Sequence, residues 1–448
     1  MTEPPLTIVP AVTPDGTVQA PLRGFERITS LRTFDALGSR SFRWFFISML
    51  AQFSSMHVQM VVNPWLVYEL TGSYAKLGAV ALVSAGPGLV LGFVGGVIAD
   101  RAPKKPVVQV GMAISATSTV AVAVLLAFEM LVYEHLLVLS AVQGAVFAIV
   151  GPARQALIPE IVGAHRLTNA VALNMAGLNV TRMGMPALGG LLIAFIGATG
   201  VFFVMGALIF IAMLSLTPVT RYAGSEDPLA PMPAPMPAPM PVAPHAASLG
   251  SGLRDVADGL RYIRSDRVVL VLLAVNFFIV MMSMPYMQMM AGFVKQVLGA
   301  GPQELGVLWS ITGIGSLAGS LAIASMPSRG RGKVFLWSAL LLGVALAAFA
   351  ASTWFWVTAA IMVVVGVGQA GRMSLGNILI MDYTQQAYQG RVMSVFMMEF
   401  SLVSVGTFVV GLLATIFGIQ WAIGGTALAL VAVALAGLLF VPRLRDLP

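Results

Sequence analysis

Four ionisable side chains lie in stretches of the chain that are otherwise apolar. They are His57, Arg182, Arg372 and Glu399. A charge inside a long apolar segment is costly, and it is usually paired or functional. Groups of this kind bind polar or charged ligands, transfer protons, or pair with one another. The chemistry expected at these positions is therefore binding and proton transfer, not bond cleavage.

Arg372 and Glu399 lie in two successive apolar segments that run in opposite directions. Each is about equally far from the connection that joins the two segments. We expect them at similar depth on neighbouring helices, where a guanidinium and a carboxylate attract each other. They form either a static ion pair or a coupling site in which Glu399 takes up and releases a proton. Arg182 has no acidic residue at matching depth in its own half. It either faces a central cavity and meets an anionic or polar substrate, or bonds to backbone carbonyls.

His57 is a lone imidazole on the first apolar segment, which also carries Gln59 and Asn63. We interpret it as a hydrogen-bonded cavity residue, with proton transfer as the alternative. Gln59 and Asn63 add polar contacts without specifying a ligand. A methionine-rich run over 281–290 is suited to an adaptable wall for bulky ligands, although packing against lipid explains part of it.

The residue sets of hydrolytic and metal-dependent enzymes are missing from the chain. It has four His and no Cys, and it carries neither a phosphate-binding Gly-Lys-Ser/Thr loop nor an acidic cluster. The sequence therefore predicts no catalytic residues, no cofactor and no metal site, and excludes ATP hydrolysis within the chain. The net charge of +7 comes from basic residues beside apolar segments, so nucleic acid is not an expected partner.

These side chains must be positioned by long apolar helices. The composition is 58% hydrophobic and 10% charged, with a mean hydropathy of +0.90. A helix needs about 20 apolar residues to cross a hydrocarbon core of about 30 Å. Twelve segments approach or exceed that length, namely Trp44–Tyr68, Leu77–Ala99, Pro106–Phe128, Leu136–Ala156, Leu167–Phe195, Thr199–Leu216, Val268–Phe293, Leu305–Ala324, Val334–Ala350, Trp354–Met381, Val392–Ile416 and Trp421–Val441.

The basic residues indicate how the segments are oriented. Lys76 and Lys295 fall in connections on one side, Arg182 and Arg372 fall inside segments, and the other basic residues are assigned to the termini and alternate connections. Positive charge is retained on the cytoplasmic side. We therefore predict a multi-pass protein of the cytoplasmic (inner) membrane with both termini in the cytoplasm. The first 43 residues show no cleavable signal peptide.

Composition divides the chain into five regions. We predict a cytoplasmic tail over 1–43, six-helix bundles over 44–217 and 267–441, a cytoplasmic linker over 218–266, and a tail over 442–448. The linker contains a Pro-Met repeat, which we interpret as a spacer. An amphipathic helix over 252–264 is predicted to follow the repeat on the cytoplasmic membrane surface.

The two bundles are similar to each other. Two proline positions and two glycine positions recur 221 residues apart, as Pro64 and Pro285, and as Gly190 and Gly411. A glycine triplet on the second segment recurs on the eighth, as Gly86, Gly88 and Gly92, and as Gly313, Gly315 and Gly319. Repeated six-helix halves are a transporter architecture with substrate near the midplane. The predicted fold is an all-α integral membrane protein of twelve transmembrane helices in two pseudo-repeats.

The connection after the second segment reads Gly96-Val-Ile-Ala-Asp100-Arg101-Ala-Pro-Lys104-Lys105. It resembles the signature loop of the major facilitator superfamily, with Pro103 in place of a glycine. The resemblance implies a gating motif that holds the cytoplasmic ends of the two halves together in one of the alternating states.

The fifth segment carries Gly184-Met-Pro186-Ala-Leu-Gly189-Gly190. This run is similar to the Gly-Pro-x-x-Gly-Gly motif of exporters in the same superfamily, with Met185 where a glycine is expected. The resemblance favours export, and helix packing without directional meaning is the alternative.

Further stretches, among them 64–73, 152–160 and 389–394, resemble the branch with the enterobactin exporter and the macrolide efflux proteins. Ser140 stands where many drug–proton antiporters of the superfamily have an Arg, so proton coupling would need another group. We predict a secondary transporter that exports a bulky amphipathic molecule of drug or siderophore type. It would work by alternating access, coupled to protons, in contact with the lipid bilayer and preferably as a monomer. Uptake, lysolipid flipping and non-transporting sensing are the alternatives.

Overall fold

The computed structural model describes residues 32–221, 258–326, 330–386, 388–441 and 445. Within these ranges, the side-chain surroundings of 32–34, 89–90, 92–101, 164–165, 394 and 397–401 fall outside the description. The described chain is helical. A short 3₁₀ helix at Arg32–Gly38 precedes the long helices, and a helical segment over 258–265 precedes the second half. The predicted Pro-Met spacer lies outside the described residues.

The first half contains α1 (Arg40–Thr71), α2 (Tyr74–Arg101), α3 (Lys104–Ala127) and α4 (Tyr133–Gly163). A 50-residue helical stretch, Arg166–Ser215, follows. Gly163 and Gly197 interrupt the helical geometry with φ values of 69° and 67°, which glycine adopts without strain. Gly197 divides the long stretch into α5 (166–196) and α6 (198–215).

Contacts with α1 show that the chain reverses direction at Gly197. The Ser48 hydroxyl donates to the Ala212 carbonyl at 2.7 Å and the Ser55 hydroxyl to the Met205 carbonyl at 3.2 Å, so α6 runs antiparallel to α1. Gly177 of α5 lies against Met49 near the start of α1, and Gly189, further along α5, lies against Val58, further along α1. The two helices therefore run parallel. A stretch of 50 residues is about 75 Å long, enough to cross a hydrocarbon core of about 30 Å twice.

The second half contains six helical units. They are α7 (Arg267–Ser283) with its continuation α8 (Tyr286–Gln296), α9 (Pro302–Ala324), α10 (Arg331–Ala351), α11 (Phe355–Tyr383), α12 (Gln389–Phe417) and α13 (Ile419–Phe440). The break between α7 and α8 falls at Pro285, which has no backbone N–H for the helical ladder. Caps define several starts: the Asp266 carboxylate accepts from the backbone N–H groups of Val268 and Val269.

Nine described helices are long and apolar enough to cross a membrane, and a shorter apolar helix spans Leu402–Phe417. The all-α membrane fold is confirmed, while the count of twelve crossings stays a prediction. We call the end of the bundle that carries Lys104 and Lys105 the basic end, which is predicted to be cytoplasmic. The opposite end, where α1 ends and α9 begins, is called the external end.

The two halves meet along α5 with α9 and along α2 with α12. A β-carbon on Gly306 of α9 would lie 2.5 Å from the Pro186 carbonyl oxygen, and one on Gly78 of α2 would lie 2.7 Å from the Cα of Phe408. One buried apolar cluster contains residues of both halves, including Val62, Leu77 and Met289. The halves are thus in close contact toward the external end.

The described part of the predicted amphipathic helix packs on the second half. Tyr262 and Ile263 are buried with Val392 and Phe396, and the Tyr262 ring stacks on Tyr388 at 4.3 Å. The sequence predicts an apolar face that includes Leu260 and Ile263, of which Ile263 is buried and Leu260 is exposed. The described part of the helix buries Tyr262 beside Ile263, because the aromatic ring of Tyr262 finds a partner in Tyr388.

Candidate functional site

Polar side chains from both halves converge at mid-depth around Tyr286, the first residue of α8. The Tyr286 hydroxyl is buried and donates to the Gln369 side-chain oxygen at 3.2 Å. Arg182 on α5 and Arg372 on α11 are both close enough to interact electrostatically with this hydroxyl. His57 on α1 lies within electrostatic range of Arg182. We call His57, Arg182, Tyr286, Gln369 and Arg372 the central cluster.

His57 is 5% exposed, and its Nδ1 lies 2.8 Å from the Phe53 carbonyl oxygen. Since a carbonyl only accepts, Nδ1 carries the hydrogen, which leaves Nε2 for other contacts. The imidazole is therefore held in one orientation by its own helix. Its place beside Arg182 agrees with the predicted cavity role, which stays a prediction.

The predicted pair of Arg372 with Glu399 stays a prediction. Arg372 is 4% exposed in α11, so its charge is buried as expected. The Glu399 backbone belongs to α12, but its side chain lies outside the description.

The polar residues of α1 contribute unevenly. The Asn63 amide donates to the Ser140 hydroxyl of α4 at 3.5 Å, while its own Oδ1 is buried without a hydrogen-bond partner. The Gln52 Oε1 is likewise buried and unpartnered. Gln59 is half-buried. Two buried acceptors on one helix leave hydrogen-bonding capacity for a ligand or water.

A second polar group joins the halves at the external end. The Gln296 side-chain oxygen accepts from the Tyr68 hydroxyl at 3.2 Å and from the Tyr74 hydroxyl at 2.7 Å. Beside it, the Lys295 ammonium lies 3.3 Å from a Glu69 carboxylate oxygen and 5.5 Å from the centre of the Trp65 ring. We call Trp65, Tyr68, Glu69, Tyr74, Lys295 and Gln296 the external contact group. It connects α1 and α2 to the end of α8 and closes the bundle there.

Sequence reasoning did not single out the external contact group as functional. The one available signal was Lys295, one of two basic residues assigned to the external side. Its partner Glu69 is 226 residues away in the chain, and no local pattern connects the two.

The exporter-like motif lies where the halves meet. A β-carbon on Gly190 would overlap the Pro302 carbonyl oxygen at the start of α9, and Gly189 packs on Val58 of α1. Pro186 is buried, and its carbonyl lies against Gly306. Gly184 has open space where a side chain would be, so the predicted close packing does not extend to it.

The gating motif is described only at its basic pair. The surroundings of Gly96, Asp100 and Arg101 fall outside the described side chains. Lys104 pairs with the Glu160 carboxylate of α4, and Lys105 donates to the carbonyls of Thr217 at 2.7 Å and Val219 at 2.8 Å. These contacts lie within the first half, so they brace the ends of α4 and α6. A contact between halves through this motif would fall to Asp100 or Arg101.

Arg154 is a correction: the charge count placed it among the basic residues of the termini and alternate connections, although it falls within the predicted segment Leu136–Ala156. It lies inside α4 and is 7% exposed. Its guanidinium donates to the Ser48 hydroxyl at 3.2 Å and lies 5.7 Å from the centre of the Phe45 ring, while Nε and Nη1 have no hydrogen-bond partner. The helix continues to Gly163, beyond the predicted end at Ala156, and Arg154 is buried there against α1 of the first half.

The methionine-rich run divides between two environments. Met289 and Met290 are fully buried. Met281 and Met282 line a cavity of about 960 Å³ between α7, α12 and α13, whose other walls are apolar except for Thr426, with Trp421 at one side. Within the described ranges, no three His, Asp or Glu side chains are close enough to hold a metal ion.

Comparison with known proteins agrees with this geometry. A family model described as transmembrane secretion effector matches residues 31–446. The multidrug efflux pump Tap of Mycolicibacterium fortuitum is 26% identical over 398 residues, covering 87% of this chain and 93% of the relative. The staphyloferrin A transporter of Staphylococcus aureus is 20% identical over 379 residues, covering 84% and 90%.

Solved transporters share the fold. A bacterial homologue of the lysosomal transporter Spinster, inward-facing and unoccupied, superposes with a TM-score of 0.68 at 14% identity, covering 93% of this chain and 98% of that one. A bacterial homologue of ferroportin, inward-facing, gives 0.67 at 15% identity, covering 88% and 98%.

Proposed function

Because this chain belongs to the transmembrane secretion effector family of the major facilitator superfamily, we propose that it is a secondary active exporter of a bulky amphipathic small molecule. Full-length relatives include a multidrug efflux pump and a siderophore transporter, which supports this substrate class. The chain would then move its substrate across the membrane without chemical change.

One observation carries the proposal. The central cluster takes side chains from both halves. The external contact group joins the halves at the external end and lies between the cluster and the solvent on that side. If the halves rocked apart around the midplane, the Gln296 and Lys295 contacts would break and the central cluster would open outward. A site reached alternately from two sides is the requirement for transport.

The membrane and the orientation are proposals as well. Lys104, Lys105 and Arg221 gather at the basic end, which supports a cytoplasmic location for that end in the inner membrane. Coupling to protons is proposed through Glu399, with Arg372 as the buried cation whose attraction would alternate with the conformational state.

A reversible cross-link between the halves tests this function. Because the chain has no cysteine, Glu69→Cys with Lys295→Cys introduces a single thiol pair across the external contact group. Export is followed in everted vesicles with three probes: ethidium, dansyl-glutamate and the dimethyl ester of dansyl-glutamate. A short, reducible thiol cross-linker should stop the transport of every probe that the parent moves, and a reductant should restore it. A protonophore should abolish uphill movement.

The matched control keeps the cross-link within one half. Lys76 and Tyr133 lie at the same end, with the ammonium 4.8 Å from the ring centre. Joining Lys76→Cys to Tyr133→Cys should leave transport unchanged. Transport that continues in fully cross-linked Glu69→Cys, Lys295→Cys protein would reject alternating access. Vesicles that move none of the three probes faster than vector membranes would reject the exporter itself.

A further inference from the structure

We propose that the cavity between α7, α12 and α13 is a binding site for one acyl chain of a membrane phospholipid. The chain enters from the leaflet at the external end of the bundle. The lining, the opening and the depth of the cavity support this ligand, and none of them depends on the transported molecule.

The lining of the cavity suits hydrocarbon. Its volume of about 960 Å³ is large enough for a chain, since small-molecule sites measure about 300–1,000 Å³. Among the described lining residues, only Thr426 and Trp421 have a polar side-chain group. The Thr426 hydroxyl already donates to the Ile423 carbonyl of its own helix at 3.0 Å. Polar groups of a transported molecule would therefore lack partners inside the cavity, and so would water.

The cavity opens toward the membrane. Of the residues that line it, Gly406 and Val410 are buried, whereas Phe417 and Trp421 are exposed. Exposed apolar side chains on the outer helices of a multi-pass protein contact lipid tails. The cavity is thus continuous with the lipid-facing surface of α12 and α13. Trp421 lies near the start of α13, where an indole ring suits the level of the headgroups, so the polar end of the lipid stays outside.

The depth of the cavity matches one leaflet. The lining positions of α12 follow one helix face from Gly406 to Phe417, a rise of about 17 Å. Half of a hydrocarbon core is about 15 Å. A β-carbon on Gly411, between these two positions, would lie 2.5 Å from the carbonyl oxygen of Tyr74, which belongs to the external contact group. The cavity therefore extends from the external end to about mid-depth.

The cavity belongs to the second half alone. Phe408 and Gly411 lie on the opposite face of α12, where they pack on α2 of the first half. On the cavity face, a β-carbon on Gly406 would overlap the Met281 sulfur, so Met281 joins α7 to α12. Methionine side chains are flexible and polarisable, and they adapt to the groups that they contact. A bound chain fills space within one half, so it can stay in place while the halves move against each other.

Photolabelling tests the site in the full-length protein in nanodiscs. The probe is phosphatidylcholine with a diazirine in the middle of one acyl chain, mixed at a low fraction into unlabelled phosphatidylcholine. Irradiation attaches the chain to the residues that it touches, and mass spectrometry of peptides locates them. We expect label on Met281 or Met282 at the inner wall. Label is also expected on Leu428, which is exposed on α13 and accessible to any surface lipid.

Filling the cavity from the protein side locates the effect. Gly425 lines the cavity, and a β-carbon there meets no neighbour, so Gly425→Leu places a side chain in the space of the lipid chain. Overpacking of this kind should lower the label on Met281 and Met282 about fivefold or more and leave Leu428 unchanged. The matched control is Ala432→Leu, on the exposed surface of the same helix and outside the lining, which should change neither label.

Parent protein without label on Met281 and Met282 would overturn the proposal, as would equal label on these residues in Gly425→Leu protein. If Gly425→Leu does not fold, Ala429→Leu fills the same cavity from the next turn and takes its place. Saturating ethidium or the dimethyl ester of dansyl-glutamate should not lower the label. A loss of label with either compound would assign the cavity to the transported molecule and overturn the assignment to a lipid.

Discussion

Two kinds of helix seam in this protein show equally close backbone packing. Within the second half, β-carbons on Gly315 of α9 and Gly366 of α11 would overlap the carbonyl oxygens of Val363 and Thr312. Between the halves, a β-carbon on Gly190 of α5 would overlap the Pro302 carbonyl oxygen at the start of α9 in the same way. Alternating access requires that the second seam opens and that the first does not.

The two seams differ in the side chains that lie near the glycines. The seam between α9 and α11 brings Thr312, Gly315, Gly366 and Ala370 together as buried small side chains. The closed end between the halves adds polar side chains that remain partly exposed, including Glu69 and Lys295 at 50% and 40%. Water can replace such polar contacts when a seam opens, whereas backbone-to-backbone packing has no substitute. Close packing alone therefore does not identify a moving seam, but its polar neighbours do.

The largest expected effect is at the fixed seam. Gly315→Ala should destabilise the folded protein by about 1–3 kcal/mol, because the new methyl group overlaps the backbone of α11. Thermal unfolding in detergent and the yield of monodisperse protein measure it. The matched control is Gly88→Ala, at the corresponding position of the other pseudo-repeat, where a β-carbon has open space. Similar stability losses in both variants would show that the two glycines are not distinguished by packing.

At the moving seam, the same substitution should change the conformational equilibrium and not the folding. Gly190→Ala creates its overlap only while α5 lies against α9, so it destabilises the externally closed state, by about 1–3 kcal/mol. The population of that state should fall by about fivefold or more relative to the open one. The yield of the Glu69→Cys, Lys295→Cys cross-link reports this population.

Gly184→Ala provides the control on the same helix, because a β-carbon there meets no neighbour. It should leave the cross-link yield unchanged. A Gly190→Ala protein that unfolds like Gly315→Ala would mean that the seam between α5 and α9 is as permanent as the one between α9 and α11.

Periodicity and charge predicted the helices well because both are local properties. The predicted segment Leu167–Phe195 corresponds to α5 over 166–196, and Trp354–Met381 corresponds to α11 at Phe355–Tyr383. The main boundary error was α4, which continues to Gly163, beyond the predicted end at Ala156. Arg154 was counted with the cytoplasmic basic residues although it lies inside this helix, because a buried arginine on an aromatic ring carries the same sequence signal as a cytoplasmic one.

The candidate site was predicted only as separate residues. Arg182, Arg372 and His57 stood out because charge is rare in apolar segments, but Tyr286 and Gln369, which join them, look like ordinary helix residues. The glycine triplets show the same limit. Gly313 and Gly315 pack on α5 and α11, while Gly86 and Gly88 face open space, although their spacing is identical. Partners on other helices decide such roles, and one sequence does not contain them.

The smallest expected effect concerns the exposed ion pair of the external contact group. Lys295 and Glu69 lie 3.3 Å apart, but both side chains are partly exposed, and exposed pairs of this kind contribute about 0.2–1 kcal/mol. Lys295→Gln should therefore lower the population of the externally closed state by less than about fivefold. Gln296→Leu should have the larger effect, because it leaves the buried Tyr74 hydroxyl, now 2.7 Å from its acceptor, without a partner. Alkylation of Gln59→Cys from the external side, on the half-buried face of α1, reports opening. If Lys295→Gln increased that alkylation more than Gln296→Leu, the ion pair and not the tyrosine–glutamine contacts would keep the external end closed.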